Sequence, residues 1–449
     1  MVRGKTVYFL VVVTVLAITI AVVYGFRAQG ISLTHDPTKS LSPNVLVITV
    51  DTLRADYLGI NGNTTVKTPD LDALARQGAN FTMAISTFSQ TNPAHASLFT
   101  GAYPVTHKSM THCVDPIAKS VDTLAEVLKR NGYSTHALYS WPCFEWDTGF
   151  NRGFDIFRGV YVKVPGGKDI DRGNDGRADV TTNGVLEWAR QKPASPFFLW
   201  VHFMDPHYPY TPPPPFDNMY DPDCKDCLDG SWATIDKIHA FEPLRDADIK
   251  HVKAEYAGEV SFTDQEIGRL MAGMRSAGLL DNTMIIVLSD HGEAFGDNGL
   301  WFHPLIMYNS VVRVPLIFVY PPTLPAGKVV NSITSVVDVM PTILETLKIP
   351  LPSQTEGKSL WPLIRGVETP DSRTAYIQTP DDAAIAMVKN RWKMVRNLVD
   401  DSSMLFDLTT DPGEIKDLAA VSPQQVATMG EELDKWLVSH GMKLANKGP

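Results

Sequence analysis

The sequence predicts an α/β fold: a mostly parallel central sheet with helices on both faces, followed by a small α+β subdomain. Three observations carry this. Asn44 to Val50, Phe197 to Phe203 and Met284 to Leu288 are unbroken apolar runs rather than alternating ones, as expected of parallel strands covered on both faces. Helical patterns alternate with them, so parallel neighbours are joined by crossovers. Two of the runs end abruptly in Asp51 and Asp290, at the edge where such sheets hold ligands.

Asn44 to Val50 opens the sheet. Pro69 to Gln77 is an amphipathic helix with Leu71, Leu74 and Ala75 on one face. Phe81 to Ile85 is the next strand and leads into Ser89 to Pro104. There Pro93 suits a first helical position, Asn92 the cap and Gly101 the stop, which leaves Thr91 just ahead of a short helix. Val121 to Asn131 is a helix stopped by Gly132, and Ser134 to Tyr139 returns as a strand. Val180 to Arg190 is helical, and the strand Phe197 to Phe203 runs into Met204-Asp205-Pro206-His207. Pro209 to Cys227 is a long loop rich in Pro, Asp and Tyr, of a kind that is often functional. Lys250 to Ser276 is a long helix closed by Gly278, and the strands Met284 to Leu288 and Val314 to Val319 follow. Val336 to Leu347 is a helix. After Gly366 come short meandering strands, Ala375 to Thr379, Ala383 to Val388 and Trp392 to Val395, and a last helix from Gln424 to His440. The expected units are a main domain over 44–366 and a subdomain over 367–449.

Ahead of these, Thr6 to Phe26 is almost wholly apolar and long enough to span a bilayer. Arg3 and Lys5 precede it, which keeps the N-terminus in the cytoplasm. Residues 1–28 are therefore expected to be a transmembrane anchor and 29–43 a polar linker, with the main domain periplasmic or extracellular. A cleaved signal peptide is the alternative, but Val22-Val23-Tyr24-Gly25-Phe26-Arg27 offers no small-x-small cleavage site. An exported chain with Cys113, Cys143, Cys224 and Cys227 can form two disulfides. The pair in Cys224-Lys225-Asp226-Cys227 also has metal-ligand spacing, yet no second pair or neighbouring His in sequence completes a zinc site, so a loop disulfide or free thiols is expected. A net charge of −10 without a compensating Lys/Arg block excludes a nucleic-acid surface.

The chemistry gathers at the strand ends. Asp51, Asp290 and His291 are expected on one edge of the sheet beside Thr91. Two carboxylates and an imidazole suit a divalent metal. A metal beside the Thr91 oxygen would lower its pKa and hold a phosphoryl or sulfuryl oxygen. Taken singly, Thr91 and Asn92 are ordinary capping residues, and each Asp an ordinary cap or surface charge.

These residues stand in motifs that resemble the sulfatase family, within the alkaline phosphatase superfamily. Asn44 to Asp56 resembles the family's opening strand, and Thr68 to Ala75 its first helix. Thr91-x-Pro93-x-His95-x-Ser97-Leu98-x-Thr100-Gly101 stands at the nucleophile motif, and Ser289-Asp290-His291-Gly292-Glu293 at the second metal motif. Val337 to Thr342 and Leu405 to Glu414 resemble the C-terminal signatures. The chain departs from the family in four places. Typical sulfatases have Cys or Ser oxidised to formylglycine where this chain has Thr91, which cannot give an aldehyde by that route. His95 replaces the motif's Arg, Thr52 the second Asp after the opening strand, and His303 the active-site Lys. These changes resemble the Thr-nucleophile branches, phosphodiesterases and phosphoethanolamine transferases.

The resemblance implies roles. Thr91 is the nucleophile, and Asp51, Asp290, His291 and the Thr91 oxygen hold a divalent ion, Ca, Mn or Zn. His207 and His303 contact the anionic ester or protonate its leaving group; Asp205, His207 and His303 alternatively hold a second metal. His95, one turn beyond Thr91, orients the nucleophile, binds an ester oxygen or makes a helix-cap contact. His202 is read as buried structure, His107 as a family position near the site, and Arg54 as a brace for its loop through Asp56. The implied reaction is a double displacement that cleaves a phosphate or sulfate ester through a covalent Thr. The alternatives are a phosphoethanolamine-type transferase and a degenerate module that binds anionic esters without turnover.

Overall fold

The computed structural model describes residues 42–163, 174–320, 323–369, 373–380 and 383–442. The expected membrane anchor, and the expected linker up to residue 41, lie outside them, and no helix among the described residues is long and apolar enough to cross a membrane.

The central sheet is built from β1 (Asn44–Val50), β2 (Ala79–Ile85), β3 (Ser134–Tyr139), β4 (Ile156–Gly159), β5 (Phe197–Phe203), β6 (Thr283–Ser289), β7 (Arg313–Val319), β8 (Lys328–Val330) and β9 (Thr334–Ser335). Its order is β8-β2-β7-β6-β1-β5-β3-β4, with β9 also paired to β2. The alternation along β1 sorts the core. Val45 and Val47 pack on one face with α2 (Thr91–Thr100), α3 (Leu124–Arg130) and α6 (Val339–Leu347). Leu46, Ile48 and Val50 pack on the other with α1 (Pro69–Gln77), α4 (Ala178–Arg190) and α5 (Asp246–Ser276). Both faces being covered explains why these strands carry no polar alternation.

The sheet is mixed rather than uniformly parallel. β7 runs antiparallel to both β6 and β2. β1, β3, β4, β5 and β6 all run the same way. β2 shares their direction because two reversals separate it from β6. The loop after β2, which carries Thr91, therefore opens at the same edge as Asp51 and Asp290.

Three further boundaries differ from expectation. Helix α2 begins at Thr91, with Gln90 as its cap, rather than at Pro93. Pro93 is tolerated as the third helical residue because the first three N–H groups have no intrahelical partner; the first internal bond is Ala94 N to Gln90 O at 3.2 Å. Gly101 ends the helix as expected, at φ +63°. Helix α5 starts at Asp246, four residues before Lys250, where Asp248 accepts from the Arg245 N–H at 3.1 Å. The segment from Val336 enters α6 through a 3-10 turn, Val336–Asp338.

The C-terminal unit is a four-stranded antiparallel meander, β10 (Thr374–Gln378), β11 (Ala384–Lys389), β12 (Trp392–Asn397) and β13 (Ser403–Asp407), backed by α7 (Pro423–Ser439). The sequence reading lacked the fourth strand. Tyr103 joins this unit to the α2 region, edge-on to Tyr376 and Trp436. His440 and the Tyr103 N–H both engage Glu356.

Candidate active site

The register of β1 against β6 pairs Val50 with Ser289. The residues that follow, Asp51 and Asp290, therefore leave the sheet side by side. Backbone contacts hold the two turns. Leu53 N donates to Ser289 Oγ at 3.0 Å, and Tyr256 Oη donates to Thr52 O at 2.7 Å while accepting from Arg54 N at 3.0 Å. Thr52 is fixed at φ +52°, unusual for a β-branched residue. Gly292 is required by a close approach: a Cβ there would fall 2.3 Å from Ser310 O. Arg54 braces the turn as expected, with its guanidinium on Asp56, Asp297 and the Glu293 carbonyl.

Thr91 Oγ1 lies 3.4 Å from Asp51 Oδ2 and 3.5 Å from His291 Nε2. His291 Nε2 lies 3.7 Å from Asp51 Oδ1 and 3.5 Å from Asp290 Oδ2. His291 Nδ1 faces the Gly292 carbonyl at 3.0 Å, so it holds the ring proton and Nε2 presents a lone pair. Asp51 Oδ1 and Asp290 Oδ2 are buried without a hydrogen-bond partner. Burial pushes the Asp51 carboxyl up to about 7, against the opposing pull of His291. Two orphaned carboxylate oxygens and an unprotonated imidazole nitrogen converging in a buried space fit a divalent cation, and ligand atoms of Asp51, Asp290 and His291 all lie within 4.8 Å of one another. The site stands at the N-terminus of α2, whose dipole favours an anion.

His95 does not point a free nitrogen at substrate space. Its Nδ1 donates to Thr91 O at 2.8 Å, within the helix, and its Nε2 faces Thr49 Oγ1 at 3.0 Å. Thr49 Oγ1 also accepts from Trp200 Nε1 at 2.9 Å, so its own hydrogen serves His95. Burial lowers His95 to about 3 and keeps it neutral. His202 is buried as expected, but it also touches the site: its Nε2 is 3.4 Å from Asp51 Oδ2. His107 supports α2 from outside, accepting from Ser109 N at 3.1 Å and donating to Ser97 Oγ at 2.9 Å.

His207 and His303 stand 5.0 Å apart, ring centre to ring centre, and His303 is 4.6 Å from His291. His207 Nδ1 donates to Tyr208 O at 2.7 Å. Asp205 is not part of this group: its carboxylate accepts from Ala178 N at 2.7 Å and caps α4. Among the described residues, Asp205, His207 and His303 do not form the compact ligand set that Asp51, Asp290 and His291 form.

Two contributors escaped the sequence reading. Glu293 Oε1 lies 2.9 Å from His303 Nδ1, and Tyr210 Oη donates to Glu293 Oε2 at 2.9 Å. The only sequence trace of this was the acid closing Ser289 to Glu293; its partner Tyr210 comes from the Pro-rich loop. His112 stacks on Trp141 beside the N-terminus of α2, on a segment pinned by the Cys113–Cys143 disulfide. Nothing in its local sequence marks it.

A mixed α/β sheet with this cluster on its carboxyl edge defines a hydrolase of the alkaline-phosphatase-like class. The chain belongs to the sulfatase family: that family's model matches residues 43–349, and a model for the C-terminal part of N-sulphoglucosamine sulphohydrolase matches residues 296–441. It is similar to an arylsulfatase of Clostridium perfringens, 29% identical over 84% of this chain and 90% of the relative. A choline-sulfatase of Rhizobium meliloti is 27% identical over 84% of this chain and 82% of the relative. Among solved structures, the phosphonate monoester hydrolase of Agrobacterium radiobacter has the same fold, with a TM-score of 0.72, 23% identity, and coverage of 89% of this chain and 96% of that one. The protein is thus an enzyme, a sulfatase-like ester hydrolase.

Proposed function

We propose that this hydrolase cleaves phosphorus esters, phosphate diesters or phosphonate monoesters, through a covalent ester on Thr91, and that it works outside the cytoplasm on a membrane anchor formed by Thr6 to Phe26. The observation that carries the reaction is the Thr91 hydroxyl at the first position of α2, 3.4 Å from Asp51 and 3.5 Å from His291. A threonine side chain gives no aldehyde by the formylglycine route, which moves the chemistry from sulfate toward phosphorus. The exported location rests on Arg3, Lys5 and the apolar run behind them, and the Cys113–Cys143 disulfide suits an oxidising compartment.

Asp51, Asp290 and His291, with the Thr91 oxygen, would hold a divalent ion. Bound there, such an ion supplies the charge that lowers the hydroxyl pKa and neutralises ester oxygens. The residues of the chain do the rest. The N-terminus of α2 places the Thr91 oxygen and offers positive partial charge to the ester. The Thr91 hydroxyl gives its proton to the Asp51 carboxylate 3.4 Å away, its oxygen attacks phosphorus in line, and the bond from phosphorus to the leaving oxygen breaks. His207 and His303 stand 5.0 Å apart, and burial lowers the pKa of both, His303 to about 4. An anionic ester beside them favours their protonated forms, and a proton from one of them completes the leaving alcohol. Water then attacks the phospho-Thr91 ester and restores the hydroxyl. An alcohol in place of water would make the same site a transferase.

The test is turnover by the full chain of aryl phosphate mono- and diesters, aryl phosphonates and aryl sulfates, with Mn, Ca or Zn added. Phosphorus esters should turn over faster than sulfates, and Thr91→Ala should lose about 10³-fold or more in kcat. Equal rates for wild type and Thr91→Ala would remove Thr91 from the chemistry. Products bearing an added alcohol, at the expense of hydrolysis, would select the transferase.

A further inference from the structure

The chain enters the sheet at the edge opposite Thr91. β1 is central, between β6 and β5. Its first residue, Asn44, binds the start of both neighbours: Oδ1 accepts from Phe197 N at 3.1 Å, and Nδ2 donates to Thr283 Oγ1 at 3.1 Å. Residues 1–41 therefore join the domain near the middle of this amino edge.

The turns into the strands that run parallel to β1 all lie on that edge. They are basic, in a chain whose net charge is −10. Arg76 lies in the last turn of α1 ahead of β2, Lys328 begins β8, and Arg190 and Lys192 stand at the turn from α4 to β5. Among the described residues no ion pair engages these four. The remaining charges there offset one another: Lys129 with Asp155, Arg130 with Asp122, Arg158 with Glu187, and Arg275 with Asp281.

Beside the entry point, the last turns of α4 and α5 enclose a cleft of about 420 Å³. Leu186, Ala189, Gly273 and Ala277 give it apolar walls, and the exposed Arg190 and Lys192 complete its lining with Ser276. The carbonyl end of α4 accounts for Arg190. It does not account for Lys192, two residues past the helix, or for the apolar walls that the two cations share. Cations over an apolar cleft match an anionic amphiphile, with its phosphate outside and its carbon skeleton within.

Resting on the anchor proposed above, we propose that the amino edge is the membrane-facing surface of this enzyme, and that the α4–α5 cleft docks the headgroup of an anionic phospholipid. The phosphate meets Arg190 and Lys192, and the glycerol end enters between Leu186 and Ala277. Arg76 and Lys328 carry the positive surface along the same edge. The linker residues 29–41 reach about 20 Å as a flexible chain, so the anchor holds the domain at the bilayer and the cations select the face that meets it. A seven-residue strand is about 23 Å long, which sets Thr91 at least that far from the headgroups. Substrate then arrives from the aqueous side rather than from the lipids of the enzyme's own membrane.

The full chain is reconstituted in vesicles of phosphatidylcholine, alone or mixed equally with phosphatidylglycerol, each with a trace of photoreactive headgroup. Lipid adducts are mapped by mass spectrometry. With phosphatidylglycerol they should gather on residues 186–195 and 273–282. They should fall steeply between about 0.1 M and about 1 M salt, as the screening length shortens from about 10 Å to about 3 Å. Each cation near an anionic surface is worth a factor of about five, so Arg190→Gln/Lys192→Gln should lower this labelling about 25-fold with an unchanged Tm. If that variant fails to fold, the adduct map and salt dependence of wild type still decide. Adducts spread evenly, gathered on the segments that carry His207 and His303, or unchanged in the variant would overturn the proposal. So would equal labelling from the two lipids, or displacement by soluble glycerol phosphate, which would make the cleft a free-anion site. Retention after an alkaline carbonate wash tests the anchor separately: a chain that washes off refutes the anchor, while adducts on the two turns at low salt still decide the surface.

Discussion

Glu293 Oε1 and His303 Nδ1 lie 2.9 Å apart, and Tyr210 holds the second oxygen of the same carboxylate. The contact engages Nδ1 of His303 and leaves Nε2 outside it, while burial raises the Glu293 carboxyl to about 8. Glu293 and Tyr210 are fully buried, and the chain Tyr210–Glu293–His303 links the Pro-rich loop to the sheet edge that carries Asp290 and His291.

Glu293→Gln should therefore disturb catalysis more than folding. The amide keeps one acceptor, but it cannot exchange with His303 the proton that the carboxyl can. Expected is a kcat loss of about 10²-fold with small change in Tm. Tyr210→Phe should do the reverse. It strands a buried carboxylate oxygen, costs about 1–3 kcal/mol of stability and lowers kcat less. Paired kinetics and thermal melts of the two variants check this, and equal kcat losses would contradict it.

Chelation should destabilise the protein through the Asp51–Asp290–His291 cluster. A ligand at 100-fold above its Kd stabilises the folded state by about 2.7 kcal/mol. Thermal melts with and without chelator should differ in wild type. The difference should shrink sharply in Asp290→Asn, whose chelator-treated form should melt higher than chelated wild type, because one of two crowded carboxylates is gone. Chelator-insensitive melting of the wild type would contradict the metal assignment.

His107 should make stability depend on acidity. Burial lowers its pKa from the usual 6.5 to about 3. Between those values the unfolded chain binds a proton there and the folded chain does not, so stability falls as pH falls below about 6.5 and is unaffected above it. His107→Asn should lose stability at neutral pH with the Ser97 contact. Its acid limb should be shallower by one proton, about 1.4 kcal/mol per pH unit. Denaturant melts from pH 5 to 8 measure the slope; parallel curves would rule His107 out.

The Cys113–Cys143 disulfide closes a loop of 30 residues. On the chain-entropy account its loss costs about 3.5 kcal/mol. Cys113→Ser/Cys143→Ser should melt lower by that order. It should also lose activity below its melting range, because the disulfide pins His112 beside the N-terminus of α2. Full activity in a folded double variant would show that His112 needs no such pin.

The strands that build the site were legible because burial on both faces demands unbroken apolar runs. Asn44–Val50, Ser134–Tyr139 and Phe197–Phe203 have the expected bounds, as does the helix Pro69–Gln77. The direction of Arg313–Val319 was not legible, since an apolar run reads the same whichever way its strand points. The start of α2 was misjudged because proline is compatible with several positions in a first turn.

By itself the sequence determined which residues end the strands and which hydroxyl begins the helix after β2: Asp51, Asp290, His291 and Thr91 come from local pattern and family resemblance. Tertiary structure alone decided that Val50 lies opposite Ser289, which sets the two carboxylates side by side. It alone brought Tyr210 to Glu293, His112 to the N-terminus of α2, and His251 to Cys224 and Cys227. The physical reason is separation. Apolar periodicity is a local property of the chain, whereas these polar contacts join segments far apart in sequence, and only the packed sheet and helices bring them together.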